Sequence, residues 1–167
     1  MAQLIISRKN DLVKQAAKLG QSASFRRQEG LFLAEGARLC ADAADSGAVL
    51  ARVFYTARAR EKYAPYLERI LARAQEVFEI SEPVAELLSE TRSSQGVFCL
   101  CRMEAERELS DLPLAHCLAL ERIQDPGNLG AALRTAEALG VSSVLLAGEC
   151  CDLYSPKVLR ASMGAGF

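Results

Sequence analysis

The stretch IQDPGNLGAALRTAEALG, Ile123 to Gly140, decides how the C-terminal part of this chain is read. Gly127 and Gly130 bracket Asn128 in a polar loop, QDPGNLG, and an alanine-rich segment follows at once. At about 100° per residue, Leu129, Ala132, Leu133, Ala136 and Leu139 share one face, the stripe of a helix that packs on a core. Arg134 falls almost opposite, flanked by Ala131 and Ala138, with Glu137 three residues on as an ion-pair partner. A solvated arginine in a weak surface pair fits this position. So does an arginine on an interface face, because the small alanines around it would let another element come close.

The glycine spacing narrows what the loop can hold. A dinucleotide site needs G-x-G-x-x-G and an acidic residue about 20 positions on, and a P-loop needs G-x-x-x-x-G-K-[ST]. Neither is present. The G-x-x-G spacing is that of loops that clamp a nucleic-acid backbone in KH domains, but those join two helices and this one follows a strand. A plain strand-to-helix turn remains open, with Asp125 and Pro126 starting it and Gly127 supplying an unusual φ.

Outward from this segment, strand and helix patterns alternate. HCLALERI and VSSVLLAG read as strands on either side of the predicted helix, and PKVLRASMG as a helix with Ser155 as N-cap and Pro156 at its first position. Towards the N-terminus, KNDLVKQAAKLG reads as a helix from Asn10, its N-cap, to a stop at Gly20, and SASFRRQEG as a short polar helix or turn. LFLA, VLARVFYT, VFEI and GVFCLC read as strands. EGARLCADAADSG, a charged segment from Arg60 to Ala74, and SEPVAELLSE, capped and with Pro83 in its first turn, read as helices. This alternation predicts an α/β unit of about a hundred residues. RMEAERELSDLP, Arg102 to Pro113, is charged and lacks an apolar stripe, so it reads as a linker. The expected division is residues 1–102, a linker over 103–113, and 114–167. The last part holds only two strands and two helices, too few to cover both faces of a parallel sheet.

Composition sets further bounds. The chain has 167 residues, half of them hydrophobic, and a formal charge of −1. No apolar run approaches the roughly 18 residues of a membrane span. The apolar patch in MAQLIISRKN precedes its charges, the wrong order for a secretory signal, so a cytoplasmic location is expected. Six cysteines and one histidine include no C-x-x-C pair, and no metal site or disulfide framework is expected; the cysteines read mostly as small buried hydrophobes. Charge is uneven: within residues 1–40, Arg8, Lys9, Lys14, Lys18, Arg26, Arg27 and Arg38 outnumber Asp11, Glu29 and Glu35 by four. Such an excess suits an anionic partner or a solvated helix surface.

Two segments carry a resemblance to a known family. ERIQDPGNLGAALRTAEALGV and DLYSPKVLRASMGAGF contain D-P-x-N-x-G, an arginine six positions after the asparagine, and S-P-K-x-x-R-A-S-M-G-A. Together they closely resemble the first half of the SpoU/TrmH-type RNA ribose methyltransferases of the SPOUT class. SRKNDLVKQAAKLGQSASFRRQEGLFLAEGARL, ending in F-L-x-E-G-x-R-L, resembles the RNA-binding domain that precedes the catalytic domain in many members.

The resemblance implies a small N-terminal α/β RNA-binding domain followed by an α/β-knot methyltransferase domain. It implies methyl transfer from S-adenosylmethionine to a ribose 2′-hydroxyl of ribosomal or transfer RNA, and homodimerisation of full-length members. Asn128 and Arg134 are the implied catalytic residues. Because a free guanidinium stays protonated, the arginine is read as a charged partner of the target nucleotide more firmly than as a base. Arg8, Lys9, Lys14, Arg26, Arg27 and Arg38 are the RNA-binding candidates. Phe25 is read as a core residue or a base-stacking residue.

The family's later N-E-G-x-G loop and S-x-N helix, which form its knot and most of its cofactor pocket, do not occur. The methyltransferase domain is therefore expected to be incomplete, with the cofactor-binding residues beyond Phe167 and no methyl transfer by residues 1–167 alone. The alternatives are a stand-alone RNA-binding module and, with least support, an α/β nucleotide-binding protein of another type.

Overall fold

The computed structural model describes residues 2–105, 107–113 and 115–167. Glu106, in the expected linker, and Leu114, at the expected start of the second domain, lie outside them. The chain forms two compact units, one running to Met103 and one from Glu104 to Gly166. Among the described residues no helix is long and apolar enough to cross a membrane.

The first unit is built on a five-stranded sheet. In chain order its elements are β1 (Gln3–Ile5), α1 (Asp11–Gln21), α2 (Ala23–Glu29), β2 (Leu31–Glu35), α3 (Ala37–Ser46), β3 (Leu50–Tyr55), α4 (Ala57–Lys62), α5 (Ala64–Leu71), β4 (Ala74–Ile80), α6 (Glu82–Leu88) and β5 (Val97–Arg102). The strand order is β1-β4-β3-β5-β2, with β1, β4 and β3 parallel and β5 antiparallel to both its neighbours. Successive side chains of a strand point to opposite faces. Phe98 and Leu100 of β5 join Phe54, Phe78 and Leu33 in a core closed by Val13, Ala16 and Leu19 of α1 and by Val84, Ala85 and Leu88 of α6. The alternate residues Cys99 and Cys101 point the other way, towards α3.

Asn10 caps α1 as its position predicts, its side chain accepting from the Leu12 N–H at 2.9 Å. The helix does not stop at Gly20. Arg26 of α2 donates from Nη1 to the carbonyls of Leu19 and Gly20 (3.2 Å to the latter), which satisfies the end of α1 and lets it run on to Gln21. Ser22 closes α1 with its N–H to the Lys18 carbonyl and caps α2 with its hydroxyl, 3.3 Å from the Phe25 N–H.

The charged segment expected as one helix from Arg60 to Ala74 is two helices, α4 and α5, broken at Tyr63. Pro65 has no N–H to give to the carbonyl of the preceding turn and is tolerated in the first turn of a helix, so the ladder of α4 breaks and α5 starts at Ala64. Ala74 already belongs to β4. In α6, Pro83 occupies the first turn as expected, but the Ser81 hydroxyl is buried and has no hydrogen-bond partner among the described residues. The strand β1, an edge strand of three residues, is too short to show a period of two.

The second unit contains a 3-10 turn (Leu109–Asp111), β6 (Cys117–Glu121), α7 (Pro126–Ala138), β7 (Ser143–Ala147) and α8 (Pro156–Ser162). The strands β6 and β7 pair in parallel, with Leu118 opposite Val144 and Leu120 opposite Leu146. Leu129, Leu133 and Val158 are buried together, and Leu120, Ile123, Val144, Cys151 and Leu153 pack around them.

The cysteines divide into two groups. Cys40, Cys99 and Cys101 are buried, whereas Cys117 is exposed and Cys150 and Cys151 are partly exposed, so the reading of all six as mostly core holds for three. Cys117 begins β6 on the side of the strand whose residues, Cys117, Ala119 and Glu121, are exposed. Burial pushes the Cys99 and Cys101 thiols well above the usual thiol range, and the neighbouring Cys40 adds to both shifts. A thiol whose pKa is raised by folding stays protonated while its unfolded counterpart ionises, so stability falls once pH passes the usual thiol range. In the native protein at pH 8, an alkylating reagent is expected to modify Cys117 first and to spare Cys40, Cys99 and Cys101 until denaturant is added. Peptide mapping after timed alkylation checks this.

Candidate functional site

Asp125 ends the loop before α7 and caps it, its carboxylate accepting from the Asn128 N–H at 2.8 Å; Pro126 takes the first helical position. The helix therefore begins at Pro126, inside the stretch read as loop, and Gly127 is not in the left-handed region. Its lack of a side chain has another use. A Cβ at Gly127 would sit 3.0 Å from the capping oxygen of Asp125.

Gly130 is the tighter constraint. A Cβ there would lie 2.8 Å from the Ala161 carbonyl carbon and 2.8 Å from the Ser162 nitrogen, so α7 and α8 touch nearly backbone to backbone. Ala161 keeps the facing side of α8 small. Ser155 starts α8 as predicted, its hydroxyl 3.3 Å from the Val158 N–H. Leu129, Leu133 and Ala136 are buried, which fits the predicted stripe. Leu139 departs from it and is 77% exposed. The helix ends at Ala138, and Leu139 at the C-cap has left the helical wheel.

Asn128 is exposed in the first turn of α7, and its carboxamide has no partner among the described residues. Arg134 is also exposed and forms no ion pair with Glu137. Its Nη1 instead lies 3.4 Å from Met163 Sδ, just past the end of α8. Six helical residues separate Asn128 and Arg134 by about 9 Å along the axis and roughly 120° around it. The two side chains therefore leave the helix on different sides and make no hydrogen bond to each other. Met163 is the residue that sequence reasoning missed, although it lies inside a quoted motif.

The six RNA-binding candidates fare differently. Arg26 is 4% exposed and its guanidinium is spent on the carbonyls ending α1, so it is removed from the set. Arg8 donates to the Pro83 carbonyl at 2.9 Å and pairs with Glu86 at 3.3 Å. Lys14 pairs with Asp11 at 3.0 Å and Arg38 with Asp42 at 3.8 Å. Exposed pairs of this kind are worth at most about 1 kcal/mol and open easily to a competing anion. Lys9 and Arg27 are exposed, with no ion pair among the described residues. Phe25 packs partly against the core, and the Lys18 ammonium lies 4.1 Å from its ring centroid, so the core reading holds and one ring face is taken.

Glu35, in the F-L-x-E-G segment, is structural. Its buried carboxylate accepts from Ser89 Oγ, from Thr91 Oγ1 at 2.8 Å and from the Glu90 N–H at 3.1 Å, while Gln95 Oε1 accepts from the Ala37 N–H at 2.8 Å. These bonds tie the segment after α6 to the turn between β2 and α3.

With this geometry in place, comparison with known proteins gives the class. Residues 10–99 match the MRM3-like substrate binding domain and residues 115–167 match the SpoU rRNA Methylase family. The chain belongs to the SpoU methyltransferases. It is 37% identical, over 96% of its length and 58% of the relative's, to an uncharacterised tRNA/rRNA methyltransferase of Synechocystis. It is 29% identical to a 23S rRNA guanosine 2′-O-methyltransferase of Bacillus subtilis, over 98% of this chain and 62% of that one. The crystal structure of an S-adenosylmethionine-bound rRNA methyltransferase from Sinorhizobium meliloti superposes with a TM-score of 0.84 at 30% identity, covering 99% of this chain and 62% of that chain. The chain thus spans about three fifths of the length of these relatives.

Substituting Gly130 with Ala is expected to destabilise the second unit by about 1–3 kcal/mol, because the added methyl must push α8 away. Thermal unfolding of the variant beside Gly127→Ala, whose added methyl meets only a carboxylate oxygen, checks this.

Proposed function

We propose that the protein serves transfer of a methyl group from S-adenosylmethionine to a ribose 2′-hydroxyl of ribosomal RNA, with Asn128 and Arg134 facing the target nucleotide. The observation that carries this reading is the exposed Arg134 guanidinium on the alanine-lined side of α7, held at the end of α8 in a chain of this family.

The residues assembled here suit the RNA side of the reaction. A guanidinium beside a sulfonium centre would be a pair of like charges, whereas beside a phosphate it forms charge-assisted hydrogen bonds. No cofactor-binding residue is therefore assigned among residues 1–167, and when bound the cofactor would supply an electrophilic methyl group. A ribose hydroxyl is a poor nucleophile and must be aligned and lose its proton. The Arg134 charge would hold the flanking phosphate and favour the developing alkoxide, and the Asn128 carboxamide would orient the sugar from the first turn of the same helix. In the first unit, Lys9, Arg27, Lys14, Arg8 and Arg38 would bind the RNA backbone, the last three by exchanging their carboxylates for phosphates.

Two tests follow. With these residues in a chain that carries a complete methyltransferase domain, Arg134→Ala is expected to lower methyl transfer to a ribosomal RNA transcript by about a hundredfold with the fold intact, as loss of a group that stabilises developing charge does. A variant that transferred methyl groups at the full rate would overturn the role. Arg27→Ala is expected to weaken RNA binding and reduce its salt dependence by about one charge without changing the melting temperature. Arg26→Ala is expected to cost about 1–3 kcal/mol of stability by leaving the carbonyls at the end of α1 unpaired. Salt-dependent RNA titrations and thermal melts of the two variants, side by side, decide this.

A further inference from the structure

We infer that Met163 is a positioning residue for the Arg134 guanidinium, an inference that rests on the RNA-facing role proposed for Arg134. Its thioether sulfur, a weak acceptor, lies 3.4 Å from Arg134 Nη1.

The backbone of Met163 is unusual. With φ 54° and ψ 36° it is left-handed, a conformation shared by only one other non-glycine residue among those described, Arg122. A Cβ is disfavoured there, which is why glycine is the usual residue at such a helix end, and a methionine persists where the surroundings hold it. Those surroundings are visible: the Met163 N–H bonds to the Arg160 carbonyl and the Ala165 N–H to the Ser162 carbonyl, each at 3.2 Å.

The contact at Gly130 explains how the two side chains meet. Gly130 and Arg134 are four residues apart and lie on one stripe of α7. Gly130 seats Ala161 and Ser162 against that stripe, so the next residue of the chain, Met163, emerges beside Arg134. Met163 is not held there by a hydrophobic core. It is 49% exposed and lies outside the buried cluster of its unit.

The choice of partner has a chemical consequence. Arg8, Arg38, Arg52, Arg58 and Arg69 of the first unit all pair with carboxylates. Arg134 has Glu137 within reach of its own helix and is turned to a neutral sulfur instead. A thioether restrains the guanidinium without neutralising it, and it occupies one N–H while leaving the others for a phosphate. An arginine already restrained loses less side-chain freedom when RNA arrives.

A double-mutant cycle on the full chain tests this, with affinity for a labelled transcript of large-subunit ribosomal RNA as the readout and thermal melts to verify folding. Arg134→Ala is expected to weaken binding by about three- to tenfold, and Met163→Leu, which keeps the volume but removes the acceptor, by about threefold. Met163→Gly, which relieves the left-handed backbone, is expected to weaken binding to the same degree as Met163→Leu, so a fold defect from that backbone is separated from loss of the sulfur. In the Arg134→Ala background, neither change at Met163 should have a further effect. A merely structural role would instead give equal losses in both backgrounds. If Arg134→Ala weakens binding while both Met163 variants bind as the parent does, or lose equally in both backgrounds, the positioning role is overturned and the reading of Arg134 stands. If Arg134→Ala itself binds as tightly as the parent, the RNA-facing reading falls, and the positioning role with it.

Discussion

At Gly130 two helices approach until no side chain fits between their backbones, and the geometry of the second unit follows from that contact. A Cβ would fall 2.8 Å from two main-chain atoms of α8, a distance no rotamer change can relieve. Once α8 is seated there, its last turn is carried to the solvent side of α7. Arg134, one helical turn beyond Gly130, then meets Met163 rather than Glu137. The buried side chains Leu129, Leu133 and Val158 hold the opposite flank of the same pair of helices. The stripe that packs and the stripe that presents the arginine are thus set by one crossing.

The first unit obeys a different constraint. Its sheet is mixed, with two parallel and two antiparallel pairings, and its strands are apolar on both faces; α1 and α6 close one face while α3 and α5 lie over the other. Two buried polar groups organise its connections. Arg26 ends α1 by binding its last carbonyls, and Glu35 gathers the hydroxyls and amide of residues 89–91. Removing either side chain would leave several main-chain or hydroxyl groups unpaired in a dry place, which costs more than the bonds themselves contribute. The exposed cations that remain sit on the outside of this frame, where long side chains can exchange carboxylates for phosphates at little cost.

Much of this was legible in the sequence because helices and strands are local. Asn10, Ser155, Pro83 and Pro156 mark helix starts through their own side chains, and short apolar runs rich in β-branched and aromatic residues give six of the seven strands. Asn128 and Arg134 were singled out by the family resemblance, since by position alone a solvated surface arginine fitted equally well. The errors have physical causes. Pro65 overrode the helical periodicity of its segment, Arg26 extended α1 past a glycine by feeding its carbonyls, and β1 was too short to show a pattern.

What the sequence determined by itself is the order of elements, their caps, and the presence of an arginine on an alanine-lined helix face, since each depends on residues within a turn or two of one another. What only the tertiary structure decided is the partner each polar group finds. Arg26 and Arg27 are adjacent cations in the sequence, yet one is buried against carbonyl groups and the other faces water. Arg134 had a glutamate three residues away and found a sulfur beyond the end of another helix. Burial and long-range pairing depend on which elements cross and how closely, and at Gly130 that closeness is set by an absent side chain on one helix and a small one on the other.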